Sequence, residues 1–586
     1  MAAEPCFLRV RVHEISPHTV RESGKRIRGI RLKEKDSYEY QYILNITKGI
    51  AEMNIGRLAE DNITRFGEYD LVWFGGKWHT NVEMNRIANR LGNALKGLGV
   101  RKGDRVGVQL VNCPQLMQAF FAAFKIGAIM VPINPALRVA DLSYLYKDAG
   151  LVALVSTADY METIRQARAG ATELKHVILT GEPVPKDAIS YDAVIRGESD
   201  ELTIEDTDND DTAVMIYTAG TTGNPKGVML THYNWYTHVT GYYDQVLLDS
   251  WGITARGKVL EEDARRGKIE NREMGVYGVS RDRVSLITLP LFHGYGVFAL
   301  SLEFLTGGKL VVIGRWDAEE AMRCIEQFKV TDFRGVPTMY IQILNHPASS
   351  RYDLSSLEVC ICGSAPMPLE VARQWKERYG IDIWEGYGLS EATTVNCGNI
   401  AGRRPPKYGS IGKCYQKCNT MKIFDENDRE LPRGEIGEIV IKGPCVMKGY
   451  WNKLRETAEA LRNGWLHTGD VGYMDEDDYI YITDRKKDLI IRGGENIYPK
   501  EIENILHMHP DVLEAGVVGI PDPVYGEVVK AFVTLKTTGS VCEEDLLNFC
   551  REHLPAFKRP KTIQFMDELP KSALGKTLRR ELRKLG

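Results

Sequence analysis

The sequence lacks the features that mark membrane-spanning, secreted and nucleic-acid-binding chains. The longest apolar stretch, Ala119 to Val131, is broken by Lys125 and predicts a buried helix and strand, not a membrane span. The first residues carry an early acid and lack the apolar core of a secretory signal. A net charge of −4 gives no basic surface overall, so we expect no nucleic-acid partner.

Cysteine supplies neither a disulfide framework nor a metal motif. The eleven cysteines are scattered, and an odd count without a secretory signal predicts a reducing cytoplasm. The close pairs Cys360/Cys362 and Cys414/Cys418 lack a second pair of Cys or His at the spacing of zinc ligands. Spacing alone therefore predicts no zinc site.

What the sequence does contain is a repeating alternation of helix and strand. With 586 residues the chain is too long for one ordinary domain. Ile87 and Leu91 lie on one apolar helix face, Gly99 ends that helix, and Val106 to Leu110 alternate as a strand. Similar units recur from Asn54 onward and predict an α/β fold whose large N-terminal domain consists of helix-covered β-sheets.

The pattern changes near residue 487 to a small, mobile α+β C-terminal domain. We expect helices at Glu501–His507 and Glu543–His553 and strands at Ala515–Ile520 and Val528–Leu535. The predicted organisation is an accessory segment at 1–50, a large domain at 51–485 with a charged insertion at about 247–282, and a small domain at 486–586. The composition of the accessory segment and of the insertion favours solvated surface. The alternative for the accessory segment is a binding site for a membrane or a partner, and for the insertion it is an active-site lid or a subunit contact.

One stretch, Tyr217 to Val228, organises the chain. It places glycines, threonines and Lys226 between two apolar runs. Glycines let the backbone approach an anion, N–H groups and hydroxyls donate to phosphate oxygens, and the lysine adds a positive charge. It is not the P-loop of kinases and GTPases, because Lys226 precedes Gly227 and no Gly-Lys-Ser/Thr opens a helix.

Further motifs follow this loop in a fixed order. They are Leu289 to Gly296, Gly335 to Thr338, Cys362 to Pro366, Trp384 to Glu391, Gly464 to Asp470, Asp484 to Asp488 and Pro570 to Arg580. Each alone is a common turn or charged linker. Together they resemble the adenylate-forming superfamily of acyl-CoA synthetases, luciferases and peptide-synthetase adenylation domains, and most closely the fatty-acid–CoA ligases.

The resemblance implies a nucleotide site. It assigns ATP and AMP binding to Thr218, Ala219, Gly220, Thr221, Thr222, Gly223, Lys226, Gly363, Ser364, Ala365, Glu385, Gly386, Tyr387, Gly388, Ser390, Asp470, Ile482, Arg485 and Lys576. Tyr387 would stack on the base, Asp470 would accept the ribose hydroxyls, and Ser390 would bond the α-phosphate. Glu391, with Thr221, would hold Mg²⁺. Ala219 replaces the family's usual serine and Ser390 its commoner threonine.

The same resemblance implies the remaining sites. The acyl pocket would be lined by His293, Gly294, Tyr295, Val336 and Pro337; CoA would meet Gly493, Gly494 and Glu495; Lys487 would be the hinge; and the catalytic residues would be Lys576, Lys226, Glu391 and His293. Lys576 would lie between the acid and the α-phosphate, where fixed charge is most effective.

We therefore expect an AMP-forming acid–thiol ligase of fatty-acid and lipid metabolism that uses ATP, Mg²⁺ and coenzyme A. A carboxylic acid, favoured as fatty or otherwise hydrophobic, would become an acyl-adenylate with release of pyrophosphate, and then acyl-CoA with release of AMP. Aryl or alicyclic acids, loading of a separate carrier protein, a luciferase-type oxygenase and a nucleotide-binding scaffold stay open. So do peripheral membrane contact and a homodimer. The last residues carry neither a fused carrier motif nor a peroxisomal signal.

Overall fold

The computed structural model describes residues 54–218, 224–243, 283–399, 405–485, 488–571 and 577–585. Five parts of the sequence analysis lie outside these residues. They are the accessory segment 1–50, the insertion 247–282, the loop tip 219–223, Lys487 and Lys576.

The described part of the large domain alternates short strands and helices. Its strands are β1 Asp70–Phe74, β2 Lys77–Thr80, β3 Arg105–Val108, β4 Ile129–Pro132, β5 Leu151–Thr157, β6 His176–Thr180, β7 Ile189–Ser190, β8 Thr212–Thr218, β9 Lys226–Thr231, β10 Val284–Ile287, β11 Lys309–Val312, β12 Asp332–Gly335, β13 Val359–Cys362, β14 Ile383–Tyr387, β15 Cys397–Gly398, β16 Lys413–Cys414, β17 Thr420–Phe424, β18 Gly437–Lys442, β19 Gly449–Tyr450, β20 Leu466–Met474 and β21 Ile480–Arg485. Its helices are α1 Arg57–Phe66, α2 Asn81–Gly97, α3 Pro114–Lys125, α4 Val139–Ala149, α5 Met161–Ala167, α6 Tyr191–Ile195, α7 His232–Tyr242, α8 Gly294–Thr306, α9 Ala318–Phe328, α10 Pro337–Asn345, α11 Leu369–Tyr379 and α12 Leu454–Ala460.

These strands form three sheets. One has the order β16-β15-β14-β13-β12-β10-β11-β1-β2, the second β19-β9-β8-β4-β3-β5-β6-β7, and the third β17-β18-β20-β21. The neighbours β12, β13 and β14 are parallel, so their carboxyl ends meet at one edge. The predicted α/β class, with helix-covered sheets, is confirmed.

Two helices, α3 and α8, form the centre of the large domain. Nearly every residue of both is buried, in one hydrophobic cluster with side chains of both large sheets. Pro114 begins α3, where a missing N–H costs nothing, and Gly307 ends α8 in the left-handed conformation. The apolar stretch from Ala119 to Val131 is thus a buried helix and strand, as its sequence predicts. No helix in the described segments has the length and apolarity needed to cross a membrane.

The C-terminal domain has its own small core. It contains β22 Ile490–Arg492, β23 Glu495–Ile497, β24 Val512–Asp522, β25 Gly526–Leu535, β26 Thr562–Phe565, α13 Pro499–His507, α14 Glu543–His553 and α15 Arg579–Arg583. The sheet runs β23-β22-β25-β24, with β26 parallel to β25. Its apolar cluster draws on α13, α14 and the inner sheet face. The predicted α+β domain is confirmed, and its helices and strands lie where the sequence pattern puts them.

Candidate functional site

The strands that flank the predicted phosphate loop form an antiparallel hairpin. Thr218, the last residue of β8, lies opposite Lys226, the first residue of β9. The loop tip itself, with Ala219, Gly220, Thr221, Thr222 and Gly223, is outside the described residues. The flanks therefore present Thr218 and Lys226 together at one end of the hairpin.

Lys226 and Glu391 lie on either side of one tyrosine. The Lys226 ammonium is 4.9 Å from the ring centroid of Tyr450, whose hydroxyl donates to Glu391 Oε1 at 3.0 Å. Tyr450 reaches this place because β19 pairs with β9, opposite Val228. Burial first, and then the Glu391 carboxylate, raise the pKa of Tyr450, so the phenol keeps the proton that it donates. The tyrosine holds the carboxylate on one side and the ammonium over its ring face.

Ser390 and Glu391 form a short 3₁₀ turn, Ser390–Ala392, directly after the Trp384–Leu389 segment. The amide of Met447 donates to the Glu391 carbonyl at 2.8 Å and fixes that turn from the β18–β19 connection. With Oε1 bonded to Tyr450, the second oxygen of the carboxylate is the one left for a cation. Carboxylate oxygen next to phosphate oxygens is the donor set that Mg²⁺ prefers, so these residues fit the ion that the motif implies.

Asp470 is the centre of a second group of predicted site residues. It is only 3% exposed, lies in β20 opposite Arg485 of β21, and accepts from Arg485 Nε at 2.8 Å. The Tyr387 hydroxyl donates to its other oxygen at 2.6 Å. The Asp470 carboxylate raises the pKa of Arg485, and burial followed by Asp470 raises that of Tyr387. Each carboxylate oxygen keeps a lone pair for a further donor, such as a ribose hydroxyl.

The carboxyl ends of β13 and β14 bring two glycine-containing motifs side by side. Cys362 pairs with Glu385, so Gly363, Ser364 and Ala365 begin where Glu385, Gly386 and Tyr387 lie. The Trp384 to Glu391 motif predicts a turn after a strand, whereas in the structure strand β14 continues through Tyr387. Gly388 follows, and a Cβ there would lie 1.2 Å from the Thr394 carbonyl oxygen. Only glycine fits at position 388, where the backbone passes close to that of Thr394.

Glu385 is buried at that edge without a direct carboxylate–cation pair among the described residues. Burial raises its pKa to about 7, while the nearby Lys500 ammonium and the Met367 amide lower it. Lys500, from α13 of the C-terminal domain, donates to the Ile482 carbonyl at 3.1 Å. Its amide also donates to Asp484 at 3.1 Å. The small domain thus contacts β21, the strand that carries Ile482 and Arg485.

The predicted acyl-pocket residues lie at the N-terminus of α8 and at the start of α10. The Nδ1 of His293 accepts from the Tyr295 amide at 3.3 Å, and burial lowers the pKa of His293 to about 4, so the ring is neutral at pH 7. A Cβ on Gly294 would lie 2.6 Å from Thr394, which follows the Glu391 turn. Val336 and Pro337, both buried, cap and begin α10. The region adjoins the nucleotide motifs through Thr394.

The residues around the predicted hinge are held by the C-terminal tail. Arg579 forms ion pairs of 2.8 Å with Asp484 and with Glu503, and Arg583 pairs with Asp488 at 3.1 Å. In the sequence, Asp484 and Asp488 stand on either side of the predicted hinge residue Lys487, which, like Lys576, lies outside the described residues. Ion pairs therefore join the C-terminal tail to residues on both sides of the predicted hinge.

The predicted CoA residues form a separate hairpin. Gly493 and Gly494 make the turn between β22 and β23, with φ of 59° and 89°, and Glu495 is exposed beside them. The Gly493 amide donates to the Tyr525 carbonyl at 2.8 Å. The contacts described for this turn stay within the C-terminal domain, so this structure does not join it to the nucleotide motifs.

Three residues of the site escaped sequence reasoning: Tyr450, Lys500 and Arg579. Tyr450 and Glu391 are 59 residues apart and Arg579 and Asp484 are 95 apart, whereas Lys500 contacts Asp484 across 16 residues but from the other domain. Only Tyr450 has a local sequence feature that could have drawn attention to it, the aromatic pair Tyr450-Trp451 directly after Gly449.

Comparison with known proteins gives a consistent result. Residues 59–451 match the AMP-binding enzyme family, and residues 501–576 match the AMP-binding enzyme C-terminal domain. The chain is 38% identical to a long-chain-fatty-acid–CoA ligase of Bacillus subtilis, over 90% of this chain and 93% of that one.

Solved structures resemble the whole fold. An anthranilate–CoA ligase in complex with anthranoyl-AMP superposes with a TM-score of 0.80 at 28% identity, over 91% of this chain and 97% of the other. An o-succinylbenzoate–CoA synthetase of Bacillus subtilis, in complex with ATP and magnesium, gives 0.73 at 28% identity, over 90% and 99%.

Proposed function

Because this chain belongs to the AMP-binding enzyme family, and is an AMP-forming acid–CoA ligase that uses ATP, Mg²⁺ and coenzyme A, we propose that its acid is fatty or similarly hydrophobic. The observation that carries this proposal is the α8 region. His293 at its start is neutral, and the helix behind it is largely apolar and almost wholly buried, with its carboxylate Glu303 paired to Arg283 and Arg334. Such a region offers a hydrogen bond to one carboxylate and an apolar surface to the rest of the acid.

In the first half-reaction the acid attacks the α-phosphorus of ATP and pyrophosphate leaves. A carboxylic acid is already ionised at neutral pH, so the step needs no general base. It needs two anions brought together and their charge neutralised. We assign Lys226, Thr218 and the loop tip to the β- and γ-phosphates, and Ser390 to the α-phosphate. Mg²⁺, held by Glu391 with Thr221, would supply positive charge to the phosphate oxygens.

The nucleoside would be held by the second group. Asp470 would accept the ribose hydroxyls while Arg485 and Tyr387 keep its carboxylate in place. The Tyr387 ring would stack on the base, beside the backbone of Gly363, Ser364 and Ala365. This assignment rests on the shared contacts of Asp470 and on the paired edges of β13 and β14.

In the second half-reaction the CoA thiol attacks the adenylate carbonyl and AMP leaves. We propose that Lys576 serves only the first step, and that rotation about Lys487 then withdraws it and brings the Gly493–Glu495 turn to the site. Support comes from the Gly493–Glu495 turn, whose contacts among the described residues lie within its own domain, and from the charged residues on both sides of Lys487.

An aryl acid is the second candidate. The anthranilate–CoA ligase of similar fold is a precedent for such a substrate. In this chain four aromatic rings pack one against the next, with centroids 5.0 to 6.2 Å apart: Tyr295, Phe298, Tyr242 and Tyr415. A flat ring would pack against these faces, whereas an alkyl chain would pass along them.

A panel of acids tests the proposal. Purified enzyme, ATP, Mg²⁺ and CoA are incubated with short-, medium- and long-chain fatty acids, cyclohexanecarboxylate, benzoate and cinnamate, and kcat/KM is measured from acyl-CoA by mass spectrometry. We expect kcat/KM to rise with chain length by about threefold or more per added methylene while the pocket can bury it. A benzoate or cinnamate that exceeds every fatty acid would overturn the fatty-acid assignment in favour of the aryl one.

We also propose a cytoplasmic location, which the cysteine content supports. The small-molecule partners are then the acid, ATP and CoA. Sedimentation would test the homodimer, and flotation with lipid vesicles would test peripheral membrane contact.

A further inference from the structure

Three metal-ligating side chains, distant in sequence, meet in the interior of the large domain. They are His238 of α7, Cys418 between β16 and β17, and Cys445 after β18. Each is 0% exposed, and one ligand atom from each lies within 4.8 Å of the other two. Sequence spacing did not predict this group, because 180 residues separate His238 from Cys418 and both thiols come from connections between strands.

The two nitrogens of the His238 ring differ in their surroundings. Its Nδ1 is buried and, among the described residues, has no hydrogen-bond partner. Its Nε2 lies 3.4 Å from Thr394 Oγ1 and accepts from the Val395 amide at 3.3 Å. A buried polar atom without a partner is costly, and native structures rarely keep one unless a ligand or water satisfies it. A cation at Nδ1 would satisfy that atom and move the ring proton to Nε2, where Thr394 Oγ1 would accept it in place of the Val395 bond.

We propose that His238, Cys418 and Cys445 bind a thiophilic divalent cation of the zinc type. One imidazole and two thiolates are a ligand set that Zn²⁺ accepts, and the ligand atoms of a tetrahedral site, about 3.8 Å apart, fall within the limit of 4.8 Å found here. Two thiolates balance the charge of the ion, so the loaded site is neutral in an apolar interior. The two protons that the thiols lose go to solvent.

A bound ion would stabilise the Glu391 turn through the two residues that follow that turn. Thr393 donates its hydroxyl to the Cys445 carbonyl at 2.6 Å, and Thr394 contacts His238. The ion would thus join α7, the β16–β17 connection and the β18–β19 connection to the segment that carries Ser390 and Glu391. This role is structural and independent of which acid the enzyme activates.

Metal content and a cobalt spectrum test the proposal on the full chain. We expect protein from zinc-supplemented cultures, freed of loose ions by gel filtration, to hold about one zinc ion per chain. Protein prepared with Co²⁺ should show thiolate-to-cobalt charge-transfer absorption, which Mg²⁺ ligands such as Glu391 cannot produce. The double variant Cys418→Ser/Cys445→Ser should lose both signals, and Cys360→Ser, a buried cysteine of β13 outside the group, should keep both.

Two results would overturn the proposal: wild-type protein without stoichiometric zinc and without cobalt–thiolate absorption, or a double variant that binds as much zinc as Cys360→Ser. Should the double variant fail to fold, the cobalt spectrum of the wild-type chain decides alone.

Discussion

Asp470 is the buried carboxylate that we propose holds the ribose of ATP. It is fixed from two sides, by a tyrosine hydroxyl and by a guanidinium, before any ligand arrives. A carboxylate held this way loses little entropy when a ribose hydroxyl bonds to it.

We expect Asp470→Asn to raise the KM for ATP about 10- to 100-fold, because hydrogen bonds to a charged acceptor are replaced by weaker ones. Steady-state kinetics with varied ATP measure this. Asp477→Asn, in an exposed turn, is the control and should leave the KM unchanged. A KM for ATP that stays at the wild-type value would contradict the ribose assignment.

Glu385 gives a prediction about pH. Its pKa is raised by burial from 4.5 to about 7, so between these values the folded chain holds a proton that the unfolded chain releases. The free energy of unfolding therefore falls as pH rises through this window, by up to about 3 kcal/mol, and then levels off.

Glu385→Gln has no such proton to lose. Its stability relative to wild type should increase between about pH 5 and pH 7.5, as urea unfolding at several pH values would show. Glu377→Gln, on the exposed face of α11, is the control and should follow the wild-type curve. If the free energy of unfolding changed with pH in the same way for Glu385→Gln and for wild type, the buried carboxyl would not be protonated in the folded chain.

At the scale of elements, the pairing of β19 with β9 places Tyr450 between Lys226 and Glu391. We expect Tyr450→Phe to keep the ring under the ammonium but to free the Glu391 carboxylate, so the Mg²⁺ concentration for half-maximal rate should rise about three- to tenfold. Tyr352→Phe removes the same kind of tyrosine–glutamate bond on the surface, at Glu319, and is the matched control. Equal Mg²⁺ dependence in both variants would rule out a role for Tyr450 in holding the carboxylate.

Sequence pattern predicted the elements far better than their contacts. Helix α13 and strand β25 lie where apolar spacing puts them, because local periodicity reports the face that each element buries. Motif order also predicted that Tyr387 and Asp470 share a site, and the structure brings their side chains together. Tyr450 and the His238 group were missed, because strand pairing and chain crossings between distant segments leave no local pattern.

At the scale of the whole molecule, Arg579 joins the C-terminal tail to Asp484, close to the predicted hinge. Its pairs with Asp484 and Glu503 are largely buried, and loss of one partner of such a pair is strongly destabilising. We therefore expect Arg579→Ala to change the balance between the two half-reactions about tenfold, because the orientation seen here loses its ion pairs.

Single-turnover rates of adenylate formation and of thioester formation from supplied adenylate would measure that balance. Arg580→Ala, which removes an exposed arginine next in sequence, should leave the ratio unchanged. If both rates of Arg579→Ala fell by one common factor, the ion pairs would serve stability alone.

The most direct test of the two-step account is Lys576→Ala, measured in both half-reactions, with Lys584→Ala as a control. The account predicts that formation of acyl-adenylate from acid and ATP falls about a hundredfold or more, since fixed charge at the reacting phosphate is lost. Transfer of a supplied acyl-adenylate to CoA should stay within about threefold of wild type. Equal loss of both half-reactions would contradict the proposal that Lys576 acts in the first step and leaves before the second.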